Sequence, residues 1–408
     1  MSDRTRQQAR PRIGLALAGG GPEGAVYEIG ALRALDEALD GFEAHRLQAY
    51  VGVSAGSFVA ACLANRMTSE RLCRGTLEDE EGRLPFRSET FLTPAIHEML
   101  GRSLATPRLA LEALRDYAAN PRDQSLLDAM TRLTRALPVG LFDNEPVHAY
   151  LERIFNTEGR TDDFRELPAD LTVVAVDLDS GEAVRFGSDG MDHVPISKAV
   201  QASSALPGLY PPVEIEGRHY VDGVLLKTLH ASVALDAGAE LVICLNPIVP
   251  VDTRDSVEAG VMRRGRLQNR GLPTVLSQTF RLLVHSRLAT GMASYEQRYP
   301  EADVILFEPS KADYRMFFTN IFKFSDRRTV AQHAYRSTRE QLLRRREELE
   351  PILARHGVRL NVEALRRDND LGTSLGLPGE PQSGVTERLD RTLSRLEEVL
   401  ADQGRRHR

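Results

Sequence analysis

The chain has 408 residues, 42% of them hydrophobic and 27% charged, with a net charge of −6. That length holds one large α/β core with an appendage or two modest domains, and the composition is ordinary for a globular protein. A net negative chain is not built to coat nucleic acid, so no nucleic-acid partner is expected. Three cysteines without a CxxC pair (Cys62, Cys73 and Cys244) read as reduced core thiols of a cytoplasmic protein.

The N-terminal stretch MSDRTRQQARPR is charged but leads into no signal-peptide pattern, because the apolar run from Ile13 to Ala18 is short and ends in glycine. No stretch nears the roughly 18 uninterrupted apolar residues of a membrane span, so any membrane contact would be peripheral. RIGLALAG (12–19) predicts a buried strand. Val26, Ile29, Leu32, Leu35 and Leu39 recur at helical spacing and predict a helix over 25–39. Between the two lies GGGPEG (19–24). AYVGVSAGSFVAACLANR repeats the arrangement of strand, tight turn and helix. Residues 84 to about 160 carry mostly helical patterns without a clear strand and predict a helical insertion over the sheet. LTVVAVDLD (171–179), LVICLNP (241–247) and DVILFEP (303–309) predict further strands, and DSGE (179–182) before AVRFGS predicts a hairpin. Strands alternating with helices point to a parallel or mixed sheet covered on both faces. Residues 366–386, rich in Gly, Pro and Ser, predict a linker. Leucines at 389, 393, 396 and 400 then predict a short amphipathic surface or partner-docking helix.

GVSAG at 52–56 fits G-x-S-x-G, which sets a serine on a sharp strand-to-helix turn where flanking glycines avoid steric clash. The helix that follows points unpaired N–H groups and its dipole toward whatever the hydroxyl attacks. A nucleophilic serine also needs an oxyanion hole, and the glycine loop at 19–24 can converge several amides at a helix N-terminus. The same loop satisfies G-x-G-x-x-G, a phosphate cradle. A dinucleotide site needs an acidic residue ending a second strand about 20 positions on. Glu43 has that spacing without the strand, and a serine turn 28 residues after the loop favours acyl transfer.

Three blocks in order, GGGPEG, GVSAG and ASSALPGLYPPVEIEGRHYVDG, resemble the patatin-like phospholipase family. The resemblance covers residues 12–250 and, more loosely, the chain to about 345. It implies a three-layer α/β sandwich with a mostly parallel central sheet in a domain over 12–345; it does not reach the tail, where the residue pattern predicts a helical extension over 346–408. It implies a Ser–Asp dyad without histidine, with Ser54 as nucleophile and Asp222 as its partner. Gly19, Gly20, Gly21 and Gly24 would supply the oxyanion hole, Gly52 and Gly56 the elbow, and Gly223 the aspartate turn. It also implies a lipid or acyl-ester substrate, hydrolysed through an acyl-enzyme, with no cofactor and no metal. A free aspartate, with pKa near 3.9, is a poor base at neutral pH, so burial beside Ser54 has to raise its proton affinity.

Two residues depart from the family pattern. Glu23 stands where a basic residue usually precedes the last loop glycine, and Val224 follows the aspartate motif in place of glycine or alanine. A carboxylate aimed into an oxyanion hole would oppose catalysis, so Glu23 is expected to turn toward an arginine or solvent. These departures keep two other readings in view, a small-acyl esterase or thioesterase and a non-catalytic lipid- or partner-binding protein. A Ser–acid–His triad would draw on His219, His230, His285 or His333, but too little chain precedes Ser54 for the strands that an α/β hydrolase places there. HE at 97–98 lacks the second histidine of a zinc protease motif. YRMFFTNIFKF (314–324) is read as a core helix in preference to a lipid-facing one.

Overall fold

The computed structural model describes residues 12–77, 93–94, 139–252, 257, 266–269, 271–311, 324–367 and 369–377. Most of the expected helical insertion, the aromatic run at 314–324 but for its last residue, the HE pair at 97–98 and the amphipathic helix after 386 lie outside the described residues.

An eight-stranded sheet is built from β1 (Ile13–Leu17), β2 (Ala49–Val53), β3 (Asp170–Asp177), β4 (Ala183–Phe186), β5 (Val213–Ile215), β6 (Arg218–Asp222), β7 (Leu241–Leu245) and β8 (Asp303–Phe307). Its order is β8-β7-β1-β2-β3-β6-β5, with β4 also paired to β3. The pairs from β8 through β3 are parallel, and β4, β5 and β6 add antiparallel pairs. The five residues of β1, β2 and β7 are all buried, as expected for parallel strands covered on both faces. The expected strands and the 179–182 hairpin are present, the hairpin joining β3 to β4.

The chain winds from β1 through α1 (Gly21–Ala38) to β2 and on through α2 (Ala55–Ala64), α3 (Ser69–Leu77), α4 (Glu145–Phe155) and α5 (Ile196–Ser203). Later it passes α6 (Ala231–Asp236), and moves from β7 through α7 (Leu272–Arg298) to β8 in the opposite direction across the sheet. Right-handed crossovers running opposite ways put their helices on opposite faces. Accordingly α6 and α7 pack on Ala16, Ala49, Val51, Val53, Val242 and Cys244. On the other face α8 (Phe324–Arg344) crosses α1 so closely that a Cβ on Gly30 would lie 2.3 Å from the Ala331 carbonyl oxygen. A doubly wound sheet opens a crevice beyond its strand ends where the winding reverses, here between β1 and β7.

Two expectations need correction. The helix expected over 25–39 starts at Gly21, inside the glycine loop. The compact unit continues past 345 to Asp368: Arg359 and Leu360 pair with Asp40 and Leu39, and Arg339 donates to the carbonyls of Ala364 and Arg367, each at 2.8 Å. A second unit begins at Asn369, where residues expected to be linker form a helical turn, Leu371–Ser374, capped by Asp370. The three cysteines are buried and form no disulfide, and burial pushes the Cys62 thiol up to about 12.

Candidate active site

Ser54 sits between β2 and α2 with φ 52° and ψ −126°, a left-handed φ that a side-chain-bearing residue holds only under constraint. The constraint is steric. A Cβ on Gly52 would lie 2.4 Å from the Ser57 Cα, and one on Gly56 would lie 2.5 Å from the Ala18 carbonyl oxygen. Only glycine at both places lets the turn close against β1. Two hydroxyls fasten it: the Ser54 N–H donates to Ser203 Oγ at 2.8 Å, and Ser57 Oγ donates to the Ser54 carbonyl at 2.5 Å. Ser203 Oγ in turn donates to the Val174 carbonyl at 2.6 Å.

Strand register explains how Asp222 reaches this serine across 168 residues of sequence. Val173 and Val174 pair with β2 on one side and with β4 on the other. Ala175 and Val176 pair with β4 and β6, so β2 and β6 share an edge of β3. They run along it in opposite directions and meet end to end, Val53 opposite Val174 and Asp222 opposite Ala175. The next residue after Val53 is Ser54. Its hydroxyl is hydrogen-bonded to the Asp222 carboxylate, which also accepts the Val224 N–H at 2.9 Å. Gly223 makes that turn possible, since a Cβ there would lie 2.3 Å from the Val174 carbonyl oxygen.

Asp222 is 1% exposed and Ser54 6%. Burial raises the Asp222 pKa from 3.8 to about 7 against the lowering effect of the Ser54 and Val224 hydrogen bonds. The required increase in proton affinity is therefore present, and its source is desolvation.

The glycine loop crosses above this pair. A Cβ on Gly19 would lie 3.1 Å from the Ser54 Cβ and 3.3 Å from Val224 Cγ2, so Val224 packs on the loop and completes the wall. Helix α1 is capped by Gly20, with Pro22 in its first turn. Amides of the first turn have no intrahelical acceptor, and proline at this place gives up no hydrogen bond. The Gly24 N–H, however, donates to the Gly20 carbonyl at 3.0 Å. Gly24 is thus removed from the expected oxyanion donors. Its role is closeness, a Cβ there lying 3.0 Å from Pro247 Cγ. Glu23 lies near Arg281: its charge favours the cationic guanidinium, against the lowering effect of burial.

A cavity of about 170 Å³ joins these parts in the crevice between β1 and β7. Gly20, Gly21, Ser54, Asp222 and Val224 form its floor, and Leu206, Ile248 and the α7 residues Ser277, Phe280 and Arg281 close it. No histidine is among the described residues lining it. His230, one of the triad candidates, is buried and pushed down to about 3, mainly by desolvation, so it stays neutral. The sequence reading missed Ser203 and the α7 wall. Ser203 was in view within ASSALPG, but a hydroxyl that braces a backbone amide has no pattern of its own.

A family model for patatin-like phospholipases matches residues 15–235, more than half of the chain. The chain belongs to the patatin-like phospholipase family. It is also similar, at 26% identity over 243 residues, to an uncharacterized NTE family protein of Mycobacterium bovis and to counterparts in Mycobacterium tuberculosis. The match takes in 60% of this chain and 51% of theirs, so the chain spans about half the length of the curated relatives it matches. Among solved structures, VipD from Legionella pneumophila superposes with a TM-score of 0.36 and 16% identity, over 82% of this chain and 66% of that one. Human GIVD cytosolic phospholipase A2 superposes with a TM-score of 0.27 and 13% identity, over 67% and 45%. Superpositions this loose carry no weight for chemistry.

Proposed function

We propose that this patatin-like protein is a lipid acyl hydrolase that cleaves carboxylic ester bonds of phospholipids or lysophospholipids through Ser54 and Asp222. Ser54 Oγ attacks the ester carbonyl while the Asp222 carboxylate takes the hydroxyl proton. Amides of the Gly19–Gly21 stretch, at the start of α1, hold the oxyanion of the tetrahedral intermediate. Collapse breaks the ester C–O bond, Asp222 returns the proton to the departing alcohol, and the acyl group remains on Ser54. Water then attacks the acyl-enzyme, giving its proton to Asp222, and the fatty acid leaves as Ser54 is reprotonated.

The observation that carries this reading is the hydrogen bond from a strained, nearly buried serine to a fully buried aspartate whose pKa is about 7. An aspartate with that proton affinity can accept and return a proton at neutral pH, which an ordinary one cannot. The three reduced thiols fit a reducing compartment, and we place the activity in the cytoplasm. Among the described residues no helix is long and apolar enough to cross a membrane, so contact with lipid would be peripheral.

The cavity of about 170 Å³ favours one second reading, a small-acyl esterase or thioesterase, because sites for drug-sized ligands run to about 300–1,000 Å³. A substrate panel separates the two: a dispersed phospholipid, a lysophospholipid, a short-chain aryl ester and a short-chain acyl thioester, each with wild type and Ser54→Ala. Release of long-chain fatty acid by wild type alone supports the lipid hydrolase. Turnover confined to the short-chain substrates supports the second reading, and turnover unaffected by Ser54→Ala overturns both.

A further inference from the structure

Helix α7 has two unlike exposed halves. In its first three turns Leu272, Val275, Leu276, Leu282 and Leu283 face solvent, with Leu272 at 68% and Leu276 and Leu283 at 57% exposure. They fall at i, i+3, i+4, i+10 and i+11, one stripe of the helix, interrupted only by Thr279. Beyond them the exposed side is Ser286, Arg287, Thr290 and Ser294 with alanines between. The opposite side lines the cavity in the first turns, through Ser277, Phe280 and Arg281, and packs on the sheet beyond them, through Val284, Leu288 and Tyr295. The stripe therefore adds nothing to the core, and water contact with five large apolar side chains is a standing cost.

The apolar half coincides with the turns that close the cavity, since Ser277, Phe280 and Arg281 lie in it. Across the cavity, Leu206 lines the inside and Leu209, three residues on, faces out. Exposed Leu141 and Val139 join Leu209 there, held by the Phe142 N–H to Leu209 carbonyl bond at 2.8 Å and the Gly140–Gly208 bridge. Exposed apolar residues thus flank the cavity on two sides. Charge points the same way: the chain carries −6, yet from Leu272 to Tyr295 the helix has no carboxylate and an exposed Arg287, while Arg281 is held inward, lining the cavity and donating to the Val249 carbonyl at 3.3 Å.

We propose that the first three turns of α7, with Val139, Leu141 and Leu209 opposite, form the surface by which the protein docks on an anionic lipid bilayer, bringing the cavity mouth to the acyl chains. This rests on the lipid-hydrolase reading of the Ser54 site. Apolar side chains enter the acyl boundary while Arg287, on a face of the helix that carries no carboxylate, attracts anionic headgroups, a combination whose strength scales with apolar area and lipid charge. Lipid then passes from bilayer to cavity without crossing water.

The test is co-sedimentation with vesicles, either of phosphatidylcholine alone or mixed with phosphatidylglycerol. Wild type is compared with Leu276→Gln/Leu283→Gln and with the control Thr290→Gln/Ser294→Gln on the polar half. Hydrolysis of a soluble short-chain ester and the thermal midpoint are measured alongside, and Leu272→Gln, at the helix start, serves if the double variant does not fold. The expected result is stronger binding to the mixed vesicles, lowered about tenfold or more in the stripe variant and unchanged in the control. Soluble-ester hydrolysis is unaffected in both. Equal binding by all three proteins, or no binding by wild type, overturns the proposal. So does a wild-type dimer that the stripe variant dissolves without any vesicle binding, which would make the face an interface between copies. Vesicle binding that follows this pattern in a protein inert toward esters leaves the docking surface standing and removes the hydrolase reading.

Discussion

Replacing Asp222 with asparagine separates the chemistry of the site from its stability, because the two should move in opposite directions. Burial lifts the Asp222 pKa from 3.8 to about 7, so ionising it in the folded protein costs about 4 kcal/mol more than in the unfolded chain, at about 1.36 kcal/mol per unit. Its folded pKa is the raised one, so the folded state is favoured while Asp222 is protonated. That advantage fades as pH climbs from about 4 to about 7. Asp222→Asn removes the buried charge, and its unfolding free energy at pH 8 should exceed the wild-type value. Activity should do the reverse. Loss of a general base costs about 10²- to 10⁴-fold in rate, and among the described residues no histidine lines the cavity to replace it. In wild type, kcat/KM should rise about tenfold per pH unit from 5 and level off near 7, as the ionised carboxylate becomes populated. The assay is initial-rate hydrolysis of a soluble fluorogenic ester between pH 5 and 9, with denaturant unfolding on the same samples. A profile flat from pH 5 to 8 would refute the reasoning. So would an Asp222→Asn variant that keeps most activity, above all if one His→Ala change abolishes it.

Ser203→Ala should lower kcat and stability together, about 1–3 kcal/mol in unfolding free energy, because the Ser54 N–H loses its buried acceptor; thermal melts and rates check both. Gly56→Ala should cost about 3 kcal/mol or more, since its Cβ would meet the Ala18 carbonyl at 2.5 Å. Gly21→Ala, with φ 61° but nothing within 4 Å, should cost only about 1–2 kcal/mol in the same unfolding experiment. Glu28, fully buried on α1, has its carboxyl pushed well above the ordinary range by desolvation, so the folded state is favoured at low pH and weakens as pH rises. Glu28→Gln should flatten that decline, and unchanged pH dependence would show that the carboxyl is not held neutral.

The elements with a single strong period were legible in the sequence: the buried strands, the α1 stripe and the hairpin into β4. So was the sharp turn at Ser54, because an elbow serine needs glycines at fixed offsets, and the family resemblance pointed to Asp222 as its neighbour, to which it is hydrogen-bonded. Boundaries were less so. Helix α1 begins five residues before its first apolar stripe residue, because Gly21 and Pro22 are acceptable in a first turn whatever their intrinsic propensity. That shift is what removes Gly24 from the oxyanion donors, by turning its amide into an ordinary helical bond. Residues 346–368 looked separable from the core because the pairing of Leu39–Asp40 with Arg359–Leu360 joins segments more than 300 residues apart. Helix α7 over the cavity was invisible for the same reason: nothing in its own sequence says which half lies beside Ser54.

The most direct measurement of the central claim is labelling with an alkyl fluorophosphonate, followed by intact mass and peptide mapping, on wild type, Ser54→Ala and Asp222→Asn. Adduct on Ser54 in wild type, none in Ser54→Ala and greatly slowed labelling in Asp222→Asn is the outcome expected of a serine activated by this aspartate. Adduct on another serine with Ser54 untouched, or Ser54 labelled equally fast without the carboxylate, would contradict it.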